Sequence, residues 1–317
     1  MLCYIKSRAT FRTSATLTVI DYDIALNSVY DDASTLTVLS EITSIEGDFV
    51  YFDGWIGVIS SVTPNKGQTT ISAKNILSAF SRPMLPSSGE TIEGFIKDTL
   101  ETGYKNLADA LYNMPYLTVS AASSTPFLSP DLDDTTGLWN LKSYIAKVRR
   151  LKSVFCEWGL DGKSGLTCSI EARAVPSQRV DFADKSNRLE SETYSRYSVA
   201  KVTALVEGVE TNYYLHTDGT HDTNNADRVA GAWEIIVTDA EKQADAVAEV
   251  FAKSAFSHLI EFRSEREYGF YDNLQIRIGG RVLNSYISCV KKSMKNGTLY
   301  KSGELRVTLV DKMKEMI

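Results

Sequence analysis

Hydrophobic and polar positions alternate over much of residues 1–85. Ala15-Thr16-Leu17-Thr18-Val19-Ile20 and Ser34-Thr35-Leu36-Thr37-Val38-Leu39 put every second side chain on one side of an extended chain, and Thr and Val suit a pleated surface. Asp31-Asp32 is turn material between them. Asp48 to Gly54 opens another strand pair that continues through Trp55 to Val62. Pro64-Asn65-Lys66-Gly67 reads as a turn, and Thr69 to Ala73 as the return strand. This stretch predicts an all-β unit.

The pattern changes at Pro83, Pro86, Ser87, Ser88 and Gly89. Ile92, Phe95, Ile96 and Leu100 recur at helical spacing, as do Leu138, Leu141, Ile145 and Val148, the latter set ending at Arg149-Arg150. Ser120 to Pro130 reads as loop. Val154 to Trp158 and Leu166 to Ala172 predict a hairpin about Asp161 to Gly165, and Arg179 to Ser195 is expected to cross back to the next unit.

Residues 196–317 return to β periodicity. Ala200 to Val206 and Asn212 to Leu215 precede Trp233 to Val237. Thr238-Asp239-Ala240-Glu241 has the form of a capping box. It leads into a helix to about Ser254 whose Ala240, Ala244, Val247 and Phe251 are expected to pack on a barrel of its own unit. Strands are predicted at His258 to Phe262, Leu274 to Ile278, Val282 to Val290 and Glu304 to Val310, punctuated by Gly279-Gly280, Asn296-Gly297 and Ser302-Gly303. The expected fold is α+β and mostly β: small barrel-like units over 1–85 and 196–317 flank a mixed α/β region, 86–195. An internal echo fits that plan. Asp48-x-Val50-x-Phe52-x-Gly54 resembles Asp272-x-Leu274-x-Ile276-x-Ile278-Gly279, and each is followed by a strand carrying Ser60 or Ser288, a Gly turn and a strand. Two unrelated antiparallel hairpins would give the same pattern.

Composition narrows the classes. Hydrophobic residues make up 43% and the formal net charge is −6, which suits a packed globular chain and not a grip on phosphates through Lys and Arg. No secretory signal or 18-residue apolar run is present. Four cysteines are too few for a disulfide scaffold, so Cys156 and Cys168, equidistant from Gly162, are expected as neighbouring reduced thiols on one face of their hairpin.

Candidate chemistry is sparse. His216, Asp218, His221 and Asp222 are metal-capable, but their segment has the composition of a hairpin tip and no HExxH spacing. Asp131, Asp133 and Asp134 suit a hydrolase acid pair or a calcium loop, and equally the positive end of the helix expected at Leu138. Asp21 and Asp23 are expected to face solvent. Lys291-Lys292-Ser293-Met294-Lys295 reads as a solvated hairpin end. Phosphate loops, GxSxG and CxxC are absent. No catalytic, cofactor or metal residue is predicted.

The order of features is informative where these signatures are not. A β-rich start with Gly47 to Ile59, an α/β insertion, Tyr213-Tyr214-Leu215, the helix at 239–254 and the closing Gly303 to Lys312 resemble the tail-hub and baseplate-hub proteins of tailed phages, prophages and contractile injection systems. The resemblance implies two barrels per chain and a homotrimer whose six barrels surround a channel, joining a sixfold tail tube to a threefold spike. It implies no enzymatic step and no cofactor. Expected partners are further copies of the chain, a tail tube or distal tail protein, a tape-measure protein and a spike or tip protein, with DNA passing unbound. It implies a place in the virion tail after assembly in the bacterial cytoplasm. The strand ending near Ile317 leads us to expect no C-terminal peptidase or adhesin extension. Two other classes compete: a cell-wall hydrolase using the acids near Asp131 or the His216/His221 cluster, and a carbohydrate-binding adhesin stacking sugars on Trp55, Trp139, Trp158 or Trp233.

Overall fold

A computed structural model describes residues 1–306 other than 29–32, 43–46, 108, 110–112, 123, 134–135, 196–198, 217–219, 227, 254–256 and 304. The expectations at Asp31-Asp32, Asp134, Asp218, Ser254, Glu304 and beyond Arg306 lie outside the described residues.

The first unit is a closed barrel of β1 (Leu2–Lys6), β2 (Thr13–Ser28), β3 (Ser34–Val38), β4 (Phe49–Phe52), β5 (Trp55–Asn65) and β6 (Gln68–Asn75). Their order is β1-β4-β5-β6-β3-β2, and β1 also pairs with β2, so the ring of antiparallel ladders closes. Alternation along the strands turns Ile5, Val19, Leu36, Val50, Ile59 and Ile71 into one core. Asp53-Gly54 joins β4 to β5 and Lys66-Gly67 joins β5 to β6, both residues of each pair at positive φ. That is the turn whose twist matches two adjoining strands. Pro64, expected in the second turn, instead lies in β5 opposite Thr69.

The middle region contains β7 (Pro83–Met84), α1 (Ile92–Leu100), β8 (Leu117–Ala121), β9 (Trp139–Asn140), α2 (Leu141–Lys152), β10 (Val154–Asp161) and β11 (Gly165–Ala172). Thr91 Oγ1 accepts from Gly94 N at 3.2 Å and caps α1. Leu138 falls short of α2, because Asn140 Oδ1 accepts from Ser143 N at 2.9 Å and starts the helix there. Ile92, Phe95, Ile96, Leu141, Tyr144, Ile145 and Val148 share a core with Phe11, Phe49, Ile56 and Phe80. The middle region therefore packs directly on the barrel's outside.

The remaining strands are β12 (Ser177–Asp181), β13 (Asn187–Ser195), β14 (Val199–Val206), β15 (Val209–Leu215), β16 (His221–Asp222) and β17 (Ala232–Val237), then α3 (Gln243–Lys253), β18 (Ser257–Ser264), β19 (Asn273–Ile278), β20 (Arg281–Ser293), β21 (Gly297–Ser302) and β22 (Leu305–Arg306). The stretch expected to cross back thus forms two strands, β12 and β13. A second run of six strands has the order β12-β19-β20-β21-β18-β13, with the short β22 also pairing with β18. In chain order this repeats the barrel, with β12 in the place of β1, β13 of β2, β18 of β3, and β19 to β21 of β4 to β6. The echo seen in sequence is the shared meander of the last three. Ser60 is the residue skipped by the β5–β6 ladder, and Ser288 the one skipped by β20–β21. Likewise Ile20 is skipped in β2–β3 and Glu190 in β13–β18. One strand differs: β12 is parallel to β19, whereas β1 is antiparallel to β4. Among the described residues no ladder joins β12 to β13, so this sheet stays open. Its core contains Val180, Ile260, Phe262, Leu274, Ile276, Ile287 and Tyr300.

Between β13 and β18 the chain forms a separate layer, the sheet β16-β15-β14-β17. Val247 and Phe251 of α3 pack with Val199, Val202, Ala204 and Leu215 of this layer. The helix therefore covers the small sheet and not a barrel. Ala240 and Ala244 are exposed, and Ala240 belongs to a 3-10 turn preceding α3. The capping box does not form, since Asp239 precedes that turn without a side-chain cap.

Candidate assembly surface

The two six-stranded units are joined edge to edge. Strand β2 pairs antiparallel with β20, Asp23 opposite Ser293, Ile24 opposite Lys292 and Ala25 opposite Lys291. Lys292 Nζ lies 2.7 Å from Asp53 and Lys295 Nζ 2.8 Å from Asp21, clamping the same seam. The hydrogen bond that Lys292 donates to Asp53 raises the Lys292 pKa, and the one that Lys295 donates to Asp21 raises the Lys295 pKa. Asp21 is correspondingly lowered by its hydrogen bond with Lys295. The basic run is a solvated hairpin end, as expected, whose Lys292 and Lys295 also reach across to the barrel. Asp23 is exposed.

The small sheet offers a different surface. On the side away from α3, Trp233, Ile235 and Val237 of β17 are 59%, 55% and 84% exposed. Lys201 Nζ sits 4.1 Å over the Trp233 ring, and Trp233 Nε1 donates to Thr203 Oγ1 at 2.8 Å. Among the described residues β17 pairs only with β14. An apolar edge strand of this kind invites a further chain.

A cavity of about 550 Å³ lies where barrel, middle region and second sheet meet, between Trp55, Asn75, Arg149, Trp158 and Asp272. Arg149, 9% exposed, packs against the rings of Phe155, Phe270 and Tyr271 at 4.8, 4.2 and 5.0 Å. Its Nη2 donates to the Phe270 carbonyl at 3.3 Å, while among the described residues Nε has no acceptor. Burial pushes its pKa down to about 10. Sequence marked Arg149 only as the basic end of a helix; nothing local reveals an aromatic cage contributed from residues 270 and 271.

The predicted chemical residues disperse. His216 holds Ala226 O at 2.9 Å and Asp222 Oδ1 at 2.8 Å, while the His221 ring lies 4.9 Å from Phe251. These contacts fasten β15, β16 and α3 together. No group of three His, Cys, Asp or Glu side chains that could hold a metal occurs among the described residues. Asp131 pairs with Lys147 of α2, and Asp133 accepts from Thr136 N at 2.8 Å within a turn. Cys156 and Cys168 are buried free thiols on one hairpin face but sit diagonally: Cys156 faces Ile170 and Cys168 faces Trp158. The loop centres on Lys163, not Gly162, so the register moves by two residues. A hydrogen bond with Cys156 and burial push the Cys168 thiol up. Trp55 and Trp139 are buried and Trp158 stacks on Phe80, leaving Trp233 as the one largely exposed indole of the four.

A chain of the phage P2 baseplate in its activated conformation with Ca superposes with a TM-score of 0.54 at 12% identity, over 95% of this chain and 98% of that one. This chain has the fold of phage tail and baseplate proteins. The prophage tail protein gp18 of Listeria monocytogenes EGD-e gives 0.50 at 11% identity, over 100% of this chain and 98% of its own. No protein-family model matches the sequence, and no curated protein does. Among the described residues no helix is long and apolar enough to cross a membrane.

Proposed function

We propose that this chain is a structural hub of a phage tail or baseplate. Three copies form a pseudo-sixfold ring that joins the sixfold tail tube to a threefold spike or tip and surrounds the DNA channel. The observation that carries this reading is the repeated strand order. A chain with two six-stranded units of the same plan, joined edge to edge, lets three copies present six similar units around an axis. The fold shared with tail and baseplate proteins supports the same setting. In this reading residues 1–85 and 196–317 alternate around the ring, with β12 and β13 of 86–195 completing the second unit as a barrel-like body. The helical part of 86–195 sits outside the channel or toward the distal end. Tube, tape-measure and spike proteins are the partners, assembly takes place in the host cytoplasm, and the chain carries out no catalytic step.

Reconstruction of the parent particle by electron microscopy tests this. Density for three copies at the tail axis is the expected result; six equivalent copies, or density far from the axis, would defeat it. The hydrolase reading has a separate test. Peptidoglycan release by the wild type that disappears in His216→Ala or Asp131→Ala would replace the structural reading.

A further inference from the structure

We infer that the β2–β20 ladder within the chain is the template for the contact between chains: the end of β13 pairs antiparallel with residues 63–65 of β5 in a second copy, Thr193 opposite Asn65. This rests on the ring proposed above and names the surface that closes it.

The skipped residues fix the equivalence. Ser60 corresponds to Ser288, and Ile20 to Glu190. Counting from them, Asn65 takes the place of Ser293 and Thr193 the place of Asp23. Asp23 and Ser293 are partners inside the chain. A pseudo-sixfold ring needs the same contact at each step, so the step from one copy to the next brings β13, the counterpart of β2, to β5, the counterpart of β20. Both edges are available. Among the described residues β13 pairs only with β18. Among the described residues the β4–β5 ladder stops at Val58 and Asp48 meets Ile59, which leaves 61–65 paired there with β6 alone. Ser61, Thr63, Asn65 and Thr193 are exposed. The contact is heterologous, β13 of one copy on β5 of the next, so it builds a ring where the rotation closes and does not pair two copies symmetrically. Pro64 has no N–H to give, which keeps the ladder short and the edge unattractive to unrelated strands.

The test introduces Thr193→Cys together with Asn65→Cys into the full chain. Opposed antiparallel residues stand about 4.5–5.5 Å apart at Cα, within disulfide reach. The four native cysteines are buried and give a low background. Oxidation of assembled tails carrying the double variant is expected to yield covalent trimer on denaturing gels, and each single variant only monomer. Thr193→Cys with Ser61→Cys, displaced along the strand, is expected to cross-link at least tenfold less. Particle reconstruction of the wild type separates the two ways of failing. A threefold ring whose seam is made by other strands overturns this inference and leaves the hub reading standing. The absence of a threefold ring overturns the hub reading itself. If the double variant fails to assemble, the wild-type seam decides alone.

Discussion

The barrel of β1 to β6 and the sheet of β12, β13 and β18 to β21 share one strand order, yet one closes and the other does not. The difference lies in a single strand. In the barrel every neighbour is antiparallel, so β1 and β2 meet as an ordinary pair and the ring of ladders closes. In the second sheet β12 is parallel to β19, and following the antiparallel ladders around makes β12 and β13 run the same way. Parallel neighbours need a crossover of a dozen or more residues. Only residues 182–186 link β12 to β13, too few to make that turn. The small α3-covered layer enters at the equivalent of the β2–β3 turn. Decoration of the second unit therefore falls at a loop and leaves its core intact.

The largest effect expected from breaking this comparison comes from the cores. Phe262 packs against Phe182, Tyr268 and Tyr300 inside the open sheet. Phe262→Ala is expected to cost about 3–5 kcal/mol. Ile71→Ala in the closed barrel is expected to cost about 2–5 kcal/mol. Urea unfolding followed by hydrogen exchange should show the first loss confined to β12, β13 and β18 to β21. A simultaneous loss in β1 to β6 would mean that the two units unfold as one.

Arg149→Ala addresses the joint between them. It removes a desolvated cation held among three aromatic rings, at a cost of about 2 kcal/mol or more. Protection should fall in the middle region and around residues 270–271 together. An unchanged midpoint in thermal unfolding would refute a clamping role.

Glu93 tests the middle region by pH. Burial raises its carboxyl pKa, but hydrogen bonds from Thr125 and Ser124 outweigh burial and hold the carboxyl below its ordinary value of 4.5. Its contribution is therefore complete above pH 4.5 and is lost as the pH falls through the depressed value. Glu93→Gln is expected to cost about 1–3 kcal/mol at neutral pH and to flatten the acid side of the stability profile. A profile parallel to wild type below pH 4.5 would remove Glu93 as the cause.

The smallest effect is expected at the seam's rim. Lys292→Ala breaks an exposed pair with Asp53, for about 0.2–1 kcal/mol, and the difference should shrink in high salt. A larger, salt-independent loss would mean that the β2–β20 ladder itself depends on the ion pair.

Much of this was legible in the sequence for local reasons. The alternation of Ser34 to Val38 predicts a half-buried strand, and Asp53-Gly54, Lys66-Gly67 and Gly279-Gly280 predict tight hairpins because few other pairs tolerate two positive φ values. The helices at Ile92 and Leu141 are visible in their apolar stripes. The partner of α3 was not legible, since an apolar stripe states that something is covered and not what. Register in the Cys156–Cys168 hairpin also escaped, because it depends on where the loop centres between Asp161 and Gly165.

The sequence by itself determined most of the strands, the Gly turns, the apolar stripes of the three helices and the repeated meander, because each follows from side-chain period and backbone preference within a few residues; β12 and β13, in a polar stretch, it did not reveal. Only the tertiary structure decided that the first unit closes, that β12 runs parallel, that Arg149 meets Phe270 and Tyr271, and that β2 lies against β20. These are pairings between segments far apart in the chain, chosen by the direction in which a strand arrives and the room left for it. Neither quantity is written in any single stretch of residues.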